Sequence, residues 1–447
     1  MATPLCSYEE KSIKIEIYGG CNEIGGNSVV ILDKGAGRKI IFDNGIRFSI
    51  LRKFYRGSIS PLGTAELWSV GAIPPKEIFE DADAVYITHF HLDHLGLLGL
   101  LPDGVRAYVP SKEVLESIAD RYRRSGSWLN YIAPSQYLDI RSLEPFREDE
   151  FGVTPIPVSH SSYPSLSLIY RGSDSTIFYS GDLRVRGFQG DMLGVDTIRN
   201  IAWAVDNVLG GLGADFALLE GTNFSDVETP LSPQEFRSIL WRILDTAALA
   251  TISIDHTDLE ILLDIIDIAS MTGRKVVIAS PRIISTIDSY AHVLKSKHLK
   301  KLSENISIAT IDSIDEPPPL GITDITFIDD ILRSPENYIL IQDPIDFLEI
   351  NRREARWGKD VVEKAIVLLT NPEPMDMARE EEERVLASWL YRLGAQIYRI
   401  RVSGHYYPHE LREIITSLKP NKLIPIHTEA PDTMISMLKK IKNKPSM

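Results

Sequence analysis

Thr88-His89-Phe90-His91-Leu92-Asp93-His94-Leu95-Gly96 sets four metal-binding side chains, His89, His91, Asp93 and His94, within six positions. The run before it, Ala84-Val85-Tyr86-Ile87-Thr88, is apolar and β-branched and reads as a buried strand. Alternation at the strand end sends His89 and His91 to the same side, so one metal ion meets both imidazoles. Asp93 and His94 follow as the chain turns into the apolar stretch 95–100, and from a helix start they serve a second ion alongside. Such crowding is costly without metal, because each neutral ring needs a partner and each charged ring repels its neighbours. A solvated polar turn is the bland alternative, and this spacing disfavours it.

Zinc prefers imidazole nitrogen and carboxylate oxygen, and a pair of ions needs a bridging group, so the remaining ligands are sought downstream. His160 comes just after the largely apolar run 153–158 and is followed by Ser161-Ser162. Alone, such a histidine is more often structural. Asp182 follows the strand 176–179 in Tyr179-Ser180-Gly181-Asp182, where Gly181 permits a tight turn that exposes the carboxylate; a lone Asp after Gly is usually only a turn residue. Asp43, in Ile40-Ile41-Phe42-Asp43-Asn44-Gly45, repeats the plan at a third strand end and reads as a carboxylate that orients ligands.

The motif HxHxDH, a later lone His and a later Gly-Asp resemble the metallo-β-lactamase superfamily, which implies an α/β fold: an αββα sandwich of two mixed sheets with metals in loops at one edge. The resemblance implies two Zn²⁺ ions about 3.5–4 Å apart. His89, His91 and His160 would hold one, Asp93, His94 and a further His the other, and Asp182 would bridge them. The superfamily spans several hydrolytic and redox chemistries, and the second half of the chain chooses among them. Glu220 follows the strand 216–219, then comes a long segment, then Val402-Ser403-Gly404-His405, and finally Ile424-Pro425-Ile426-His427-Thr428-Glu429. Acid, His, His in that order, with a long insert after the acid, is similar to the β-CASP branch, whose members are nucleases. His427 at the last of these motifs points to RNA and supplies the further metal ligand. The surrounding words look most like RNase J and its archaeal relatives over nearly the whole chain.

The resemblance implies a metal-dependent ribonuclease with Asp93, Glu220 and His405 in catalysis. Phosphodiester cleavage needs an activated water, cations on the phosphoryl oxygens and a proton for the leaving oxygen. His405 is the candidate for the last two tasks, with Glu220 holding its ring as an imidazolium. Ser161, Ser162, Ser403, Gly404 and His405 are the candidate phosphate contacts, and a 5′-to-3′ exonuclease favouring 5′-monophosphate ends is expected. An RNA endonuclease of the same family, or a small ester or thioester hydrolase on the same metal site, is the alternative. Two departures touch the substrate side: Ser161-Ser162-Tyr163-Pro164-Ser165 differs from the bacterial RNase J words, and Tyr406 stands where those relatives carry Ala, narrowing the pocket or adding a donor. Tyr406 and Tyr407 could instead stack on bases or simply pack.

Other clusters read more cheaply. Asp255, His256 and Asp258 follow a strand and open the helix 259–268, so an N-cap with a first-turn acid explains them. Gly19-Gly20-Cys21-Asn22-Glu23-Ile24-Gly25-Gly26 lacks the Lys-Ser of a Walker loop. The resemblance makes it a turn between the first two strands, near the metals.

The net charge of −14 argues mildly against nucleic acid, since phosphate contacts are usually made by Lys and Arg. The acidic run 379–383 reads as a solvated helix face, and two divalent cations supply charge where the phosphate reacts. Basic segments at Arg52-Lys53-Phe54-Tyr55-Arg56, Arg121-Tyr122-Arg123-Arg124, Arg184-Val185-Arg186 and Arg352-Arg353 could line a channel for single-stranded RNA. With 447 residues, 44% hydrophobic and 25% charged, the chain has room for two domains. Cys6 and Cys21 cannot make a disulfide framework, so a reducing, cytoplasmic setting is the default. No run reaches membrane-spanning length and the N-terminus lacks a secretory pattern, so no membrane partner is expected. The chain stops soon after His427, which by the resemblance leaves no C-terminal domain of the bacterial kind and leaves the oligomeric state open, a homodimer included.

β-like runs dominate residues 12–219, whereas strands and helices alternate from 230 to about 395, as in a parallel α/β unit. The expected division is a metallo-β-lactamase domain over 1–224, a β-CASP insert over 225–395, and a completing part over 396–447 that begins with the strand 396–402. The triple proline of Asp315-Glu316-Pro317-Pro318-Pro319 marks a loop within the insert.

Overall fold

The structure is a computed structural model that describes residues 3–55, 59–102, 104–124, 128–135, 137–189, 193–225, 230–310, 322, 324–342, 365–370, 377–400 and 402–442. Arg56, Arg352, Arg353 and the loop 315–319 lie outside the described residues. The chain divides into one unit of residues 1–229 and 404–447 and a second of 230–403.

The first unit holds two mixed sheets. The seven-stranded one runs in order β1 (Cys6–Glu10), β2 (Ile13–Gly19), β3 (Ser28–Asp33), β4 (Arg38–Phe42), β5 (Ala84–Tyr86), β6 (Arg106–Val109) and β7 (Ile140–Ser142), antiparallel up to β4 and parallel from there. Five strands make the other: β8 (Val153–Val158), β9 (Ser165–Arg171), β10 (Thr176–Tyr179), β11 (Phe216–Glu220) and, far along the chain, β19 (Lys422–Ile426). The period-two alternation of strand side chains explains the layering. Ile177, Tyr179, Phe216, Leu218, Ile424 and Ile426 point inward and pack with Ile15, Ile31, Phe42 and Tyr86 of the facing sheet. Their neighbours Phe178, Ala217, Leu219 and Leu423 point outward and are covered by Ile201 and Val205 of helix Thr197–Asn207, Ile414 of helix Leu411–Leu418 and Met434 of helix Pro431–Lys442. Two mixed sheets face each other across one apolar layer, with helices over the outer face of the five-stranded sheet.

The second unit is built on a seven-stranded, wholly parallel sheet. Its strands, in the order β15-β14-β13-β16-β12-β17-β18, are Ile325–Phe327, Ile306–Thr310, Lys275–Ile278, Tyr338–Ile341, Leu249–Ser253, Ala365–Thr370 and Gln396–Ile400. Helix Pro233–Thr246 begins with a capping box between Ser232 and Glu235, and helix Leu259–Thr272 with the Asp258 carboxylate on the Ile261 amide, so Asp258 is the N-cap the sequence indicates. Asp255 accepts the Thr257 amide at 2.8 Å.

Two expectations change. Strand Gln396–Ile400 does not return to the sandwich but pairs with β17 as the last strand of the parallel sheet, because Ile366 to Thr370 register directly against it. The second unit's two ends then lie side by side at a bridge between Leu231 and Val402. The glycine-rich turn 19–26 connects β2 to β3 rather than the first two strands, since residues 6–10 form an extra edge strand. Cys6 and Cys21, which cannot make a framework, are brought together as a single local pair, their Cα atoms 6.4 Å apart. The β1–β2 hairpin makes that pairing local: Cys6 registers against Ile17, a few residues before Cys21. No helix among the described residues is long and apolar enough to cross a membrane.

Candidate metal centre

Parallel register gathers the site. Phe42 of β4 lies against Tyr86 of β5, Tyr179 of β10 against Leu218 of β11, and Glu220 of β11 against Ile426 of β19. The residues just beyond these strands therefore emerge on shared edges: Asp43, the run 88–94, Asp182 and His427. Two of them adopt left-handed backbone, Asp43 at φ 54° and His427 at φ 51°. That conformation is uncommon outside glycine, though Asp and His adopt it more readily than most side chains. The His427 amide is held there by the Gly20 carbonyl at 2.7 Å. Gly181, at φ 55°, is needed for a second reason, since a Cβ there would meet Thr88 at 2.8 Å.

One ligand atom from each of His89, His91 and His160 lies within 4.8 Å of the others, and the same holds for His89, His94 and Asp182, for Asp93, His94 and His427, and for Asp182, His405 and His427. Most of the rings have one nitrogen tied outward and the other aimed inward. His89 Nδ1 lies 3.0 Å from Thr88 Oγ1, His94 Nδ1 2.7 Å from Asp43 Oδ2, and His427 Nδ1 2.7 Å from Thr222 Oγ1. His160 Nδ1 donates to the Gly404 carbonyl at 2.6 Å, so its Nε2 carries the lone pair, and that Nε2 faces His91 Nδ1 at 3.2 Å. Inward, His94 Nε2 approaches Asp182 at 3.1 Å and His427 Nε2 approaches Asp93 at 3.1 Å. Apart from that His94–Asp182 approach, whose angles are poor for a hydrogen bond, the buried Nε2 atoms of His89 and His94 and both Asp182 oxygens have no hydrogen-bond partner among the described residues. Converging lone pairs, outer nitrogens held by neighbours, and a donor set of imidazole and carboxylate fit zinc.

Without metal, charge divides the cluster. Burial, together with the neighbouring His94, pushes His89 well below the ordinary histidine range, and burial with His91 does the same to His160. Burial opposes the charge of His94 and His427 as well, but Asp182 and the other carboxylates outweigh it and raise both. Burial likewise works against ionisation of Asp182, yet His427, His94 and His405 hold it well below the usual carboxylate range.

Asp43, the carboxylate expected to orient ligands, contacts His94 and also accepts the Thr88 amide and hydroxyl and, at 2.8 Å, the Tyr179 hydroxyl, which in turn accepts from Asn27. Thr88, Thr222, Asn27 and Tyr179 carry no motif of their own, so their part is not legible in the sequence. Glu220 and His405 do meet: Glu220 Oε1 lies 3.0 Å from His405 Nδ1, and Oε2 accepts the Thr222 amide at 3.0 Å. Ser161 and Ser162 are buried, and Ser162 Oγ accepts the Phe90 amide between two of the histidines. Ser403 is buried too and falls in the second unit. Tyr406 neither stacks on bases nor offers its hydroxyl to a pocket. It is 1% exposed, packs in the apolar layer with Leu411 and Ile414, and donates to the Glu220 carbonyl at 2.7 Å. Tyr407 stacks on His409. Of the basic segments, Arg184 is buried against Phe188, Arg186 pairs with Glu413, and Arg124 pairs with Asp120.

Residues 70–233 match the family described as beta-lactamase superfamily domain, and residues 390–444 match the Zn-dependent metallo-hydrolase RNA specificity domain. The chain therefore has a metallo-β-lactamase fold and carries a region similar to the RNA specificity domain of zinc-dependent metallo-hydrolases. It is distantly similar over its length to Ribonuclease J of Mycobacterium tuberculosis, 24% identical over 444 residues covering 93% of this chain and 68% of the relative. Ribonuclease J of Mycolicibacterium smegmatis is 22% identical over 430 residues with the same coverage. A crystal structure of a protein of unknown function from Enterococcus faecalis V583 shares the fold, with a TM-score of 0.70, 18% identity, and coverage of 95% of this chain and 96% of that one.

Proposed function

We propose that the chain is a two-zinc ribonuclease that hydrolyses single-stranded RNA from a 5′ end. The observation that carries this is His405: Glu220 holds its Nδ1 at 3.0 Å, while its ring joins Asp182 and His427 in the metal-type cluster. An ester hydrolase needs neither His405 nor its acid. The RNA specificity domain and the likeness to Ribonuclease J support RNA as the substrate.

His89, His91 and His160 would hold one zinc, Asp93, His94 and His427 the other, with Asp182 between. Bound zinc supplies positive charge to the phosphoryl oxygens and acidifies water. Around it the side chains divide the work. Asp93, held against His427, orients the attacking water. Glu220 keeps the His405 ring protonated and aimed, and His405 gives its proton to the leaving oxygen. Ser161 and the backbone amides near Gly404 hold a terminal phosphate through hydrogen bonds.

Asp43→Asn is expected to weaken zinc binding by about 10- to 100-fold, the usual effect of losing a ligand's outer partner. Competition with a chelating dye measures it, and unchanged affinity would remove Asp43 from this role. A pocket built for a 5′-monophosphate also predicts faster decay of monophosphorylated than triphosphorylated RNA. End-labelled linear RNA and a circle of the same sequence test the direction of attack. Equal cutting of both would make the enzyme an endonuclease.

A further inference from the structure

Two segments 185 residues apart interlock where Glu220 meets His405, and the carboxylate–imidazole bond is only one strand of that lock. Asn223, in the 3-10 turn Thr222–Phe224 directly after β11, donates from Nδ2 to two successive carbonyls, that of His405 at 3.2 Å and that of Tyr406 at 3.0 Å. The Tyr406 hydroxyl donates back to the Glu220 carbonyl at 2.7 Å, and the Tyr406 amide donates to the Leu183 carbonyl at 2.7 Å. Leu183 itself follows Asp182, and its own amide reaches Glu220 Oε1 at 3.4 Å. Both Asn223 and Tyr406 are buried, and the Tyr406 ring sits edge-on to Phe224, 6.1 Å away.

We propose that Asn223 and Tyr406 are positioning residues that clasp the His405–Tyr406 peptide to the Glu220 turn and so aim the His405 ring; this rests on the ribonuclease reading above. A carboxylate bonded to one ring nitrogen fixes the tautomer but leaves the ring free to move with its own backbone. Fixing the backbone removes that freedom. A primary amide suits the task because its two donors answer two adjacent carbonyls. Tyrosine suits it because its ring fills the apolar layer while its hydroxyl reaches one buried acceptor. Burial and the nearby Glu220 and Glu410 carboxylates keep that hydroxyl protonated, a permanent donor. Neither side chain enters the metal-type cluster, so both act through His405, and small misplacements of an acid are costly in rate.

The test uses the zinc-loaded full chain with Tyr406→Phe, Asn223→Asp and the double variant. Tyr406→Phe removes one oxygen atom; Asn223→Asp keeps the shape but turns donors into acceptors facing two carbonyls. Each is expected to lower kcat on labelled single-stranded RNA by roughly tenfold with KM and zinc content unchanged. The double variant should lose less than the product of the two, since both hold the same peptide. An independent readout is the His405 Nδ1 proton in the NMR spectrum of histidine-labelled protein, which should be sharp in the parent chain and broadened by exchange in the variants. Tyr406→Phe keeps the test open should Asn223→Asp fail to fold. Parent-like kcat and an unchanged proton signal in Tyr406→Phe would overturn the clasp while leaving the ribonuclease reading intact, and loss of zinc would overturn it too. A parent chain that does not cleave RNA, with the proton signal still broadened in the variants, would sink the ribonuclease reading instead and leave the clasp standing.

Discussion

Asp182→Ala should lose metal and activity together. The carboxylate is fully enclosed, one of its oxygens lies 3.1 Å from His94, 3.7 Å from His427, 3.8 Å from His89 and 3.9 Å from His160, and neither oxygen has another use among the described residues. Removing it leaves four imidazoles facing one another with no carboxylate between them, Asp93 and Asp43 serving only the His94 and His427 side, which disfavours both their protonation and the approach of a second cation. The loss should exceed the roughly 10- to 100-fold that follows removal of an outer partner. Zinc analysis of the purified variant beside its RNA turnover measures both quantities. A variant that keeps two zinc ions and parent-like turnover would show that Asp182 does not bridge.

His405→Ala should separate the two. Its Nδ1 is committed to Glu220 and its ring lies at the margin of the cluster, so zinc content should persist while turnover falls by on the order of a hundredfold or more, as for loss of a general acid. The ring also forms a possible ligand group with Asp182 and His427, which gives the experiment its edge. Loss of one zinc in His405→Ala would make His405 a ligand. Unchanged turnover would take it out of the mechanism.

What could be read from the sequence was what a short window contains. His89, His91, Asp93 and His94 are four ligand types in six positions, and apolar strands with period-two side chains mark the sandwich. His160, Asp182, Glu220, His405 and His427 were legible as a set only through order and resemblance, since each alone is an ordinary strand-end or turn residue. The supporting layer was hidden for a physical reason: Thr88, Tyr179, Thr222 and Asn223 acquire their roles from register between strands distant in sequence. For Tyr406 the sequence left stacking, a pocket role and plain packing open, because a tyrosine after a motif histidine gives no sign of which way its ring turns. Strand Gln396–Ile400 was misassigned because a parallel edge strand and a returning strand have the same apolar pattern.

The central claim, a two-zinc site acting on RNA, is tested by counting metal and following hydrolysis of one preparation. The account predicts about two zinc ions per chain, RNA cleavage abolished by chelation and restored by zinc, and little turnover of a thioester panel. A well-folded preparation that cleaves RNA with no transition metal, or one that hydrolyses thioesters and leaves RNA intact, would contradict it.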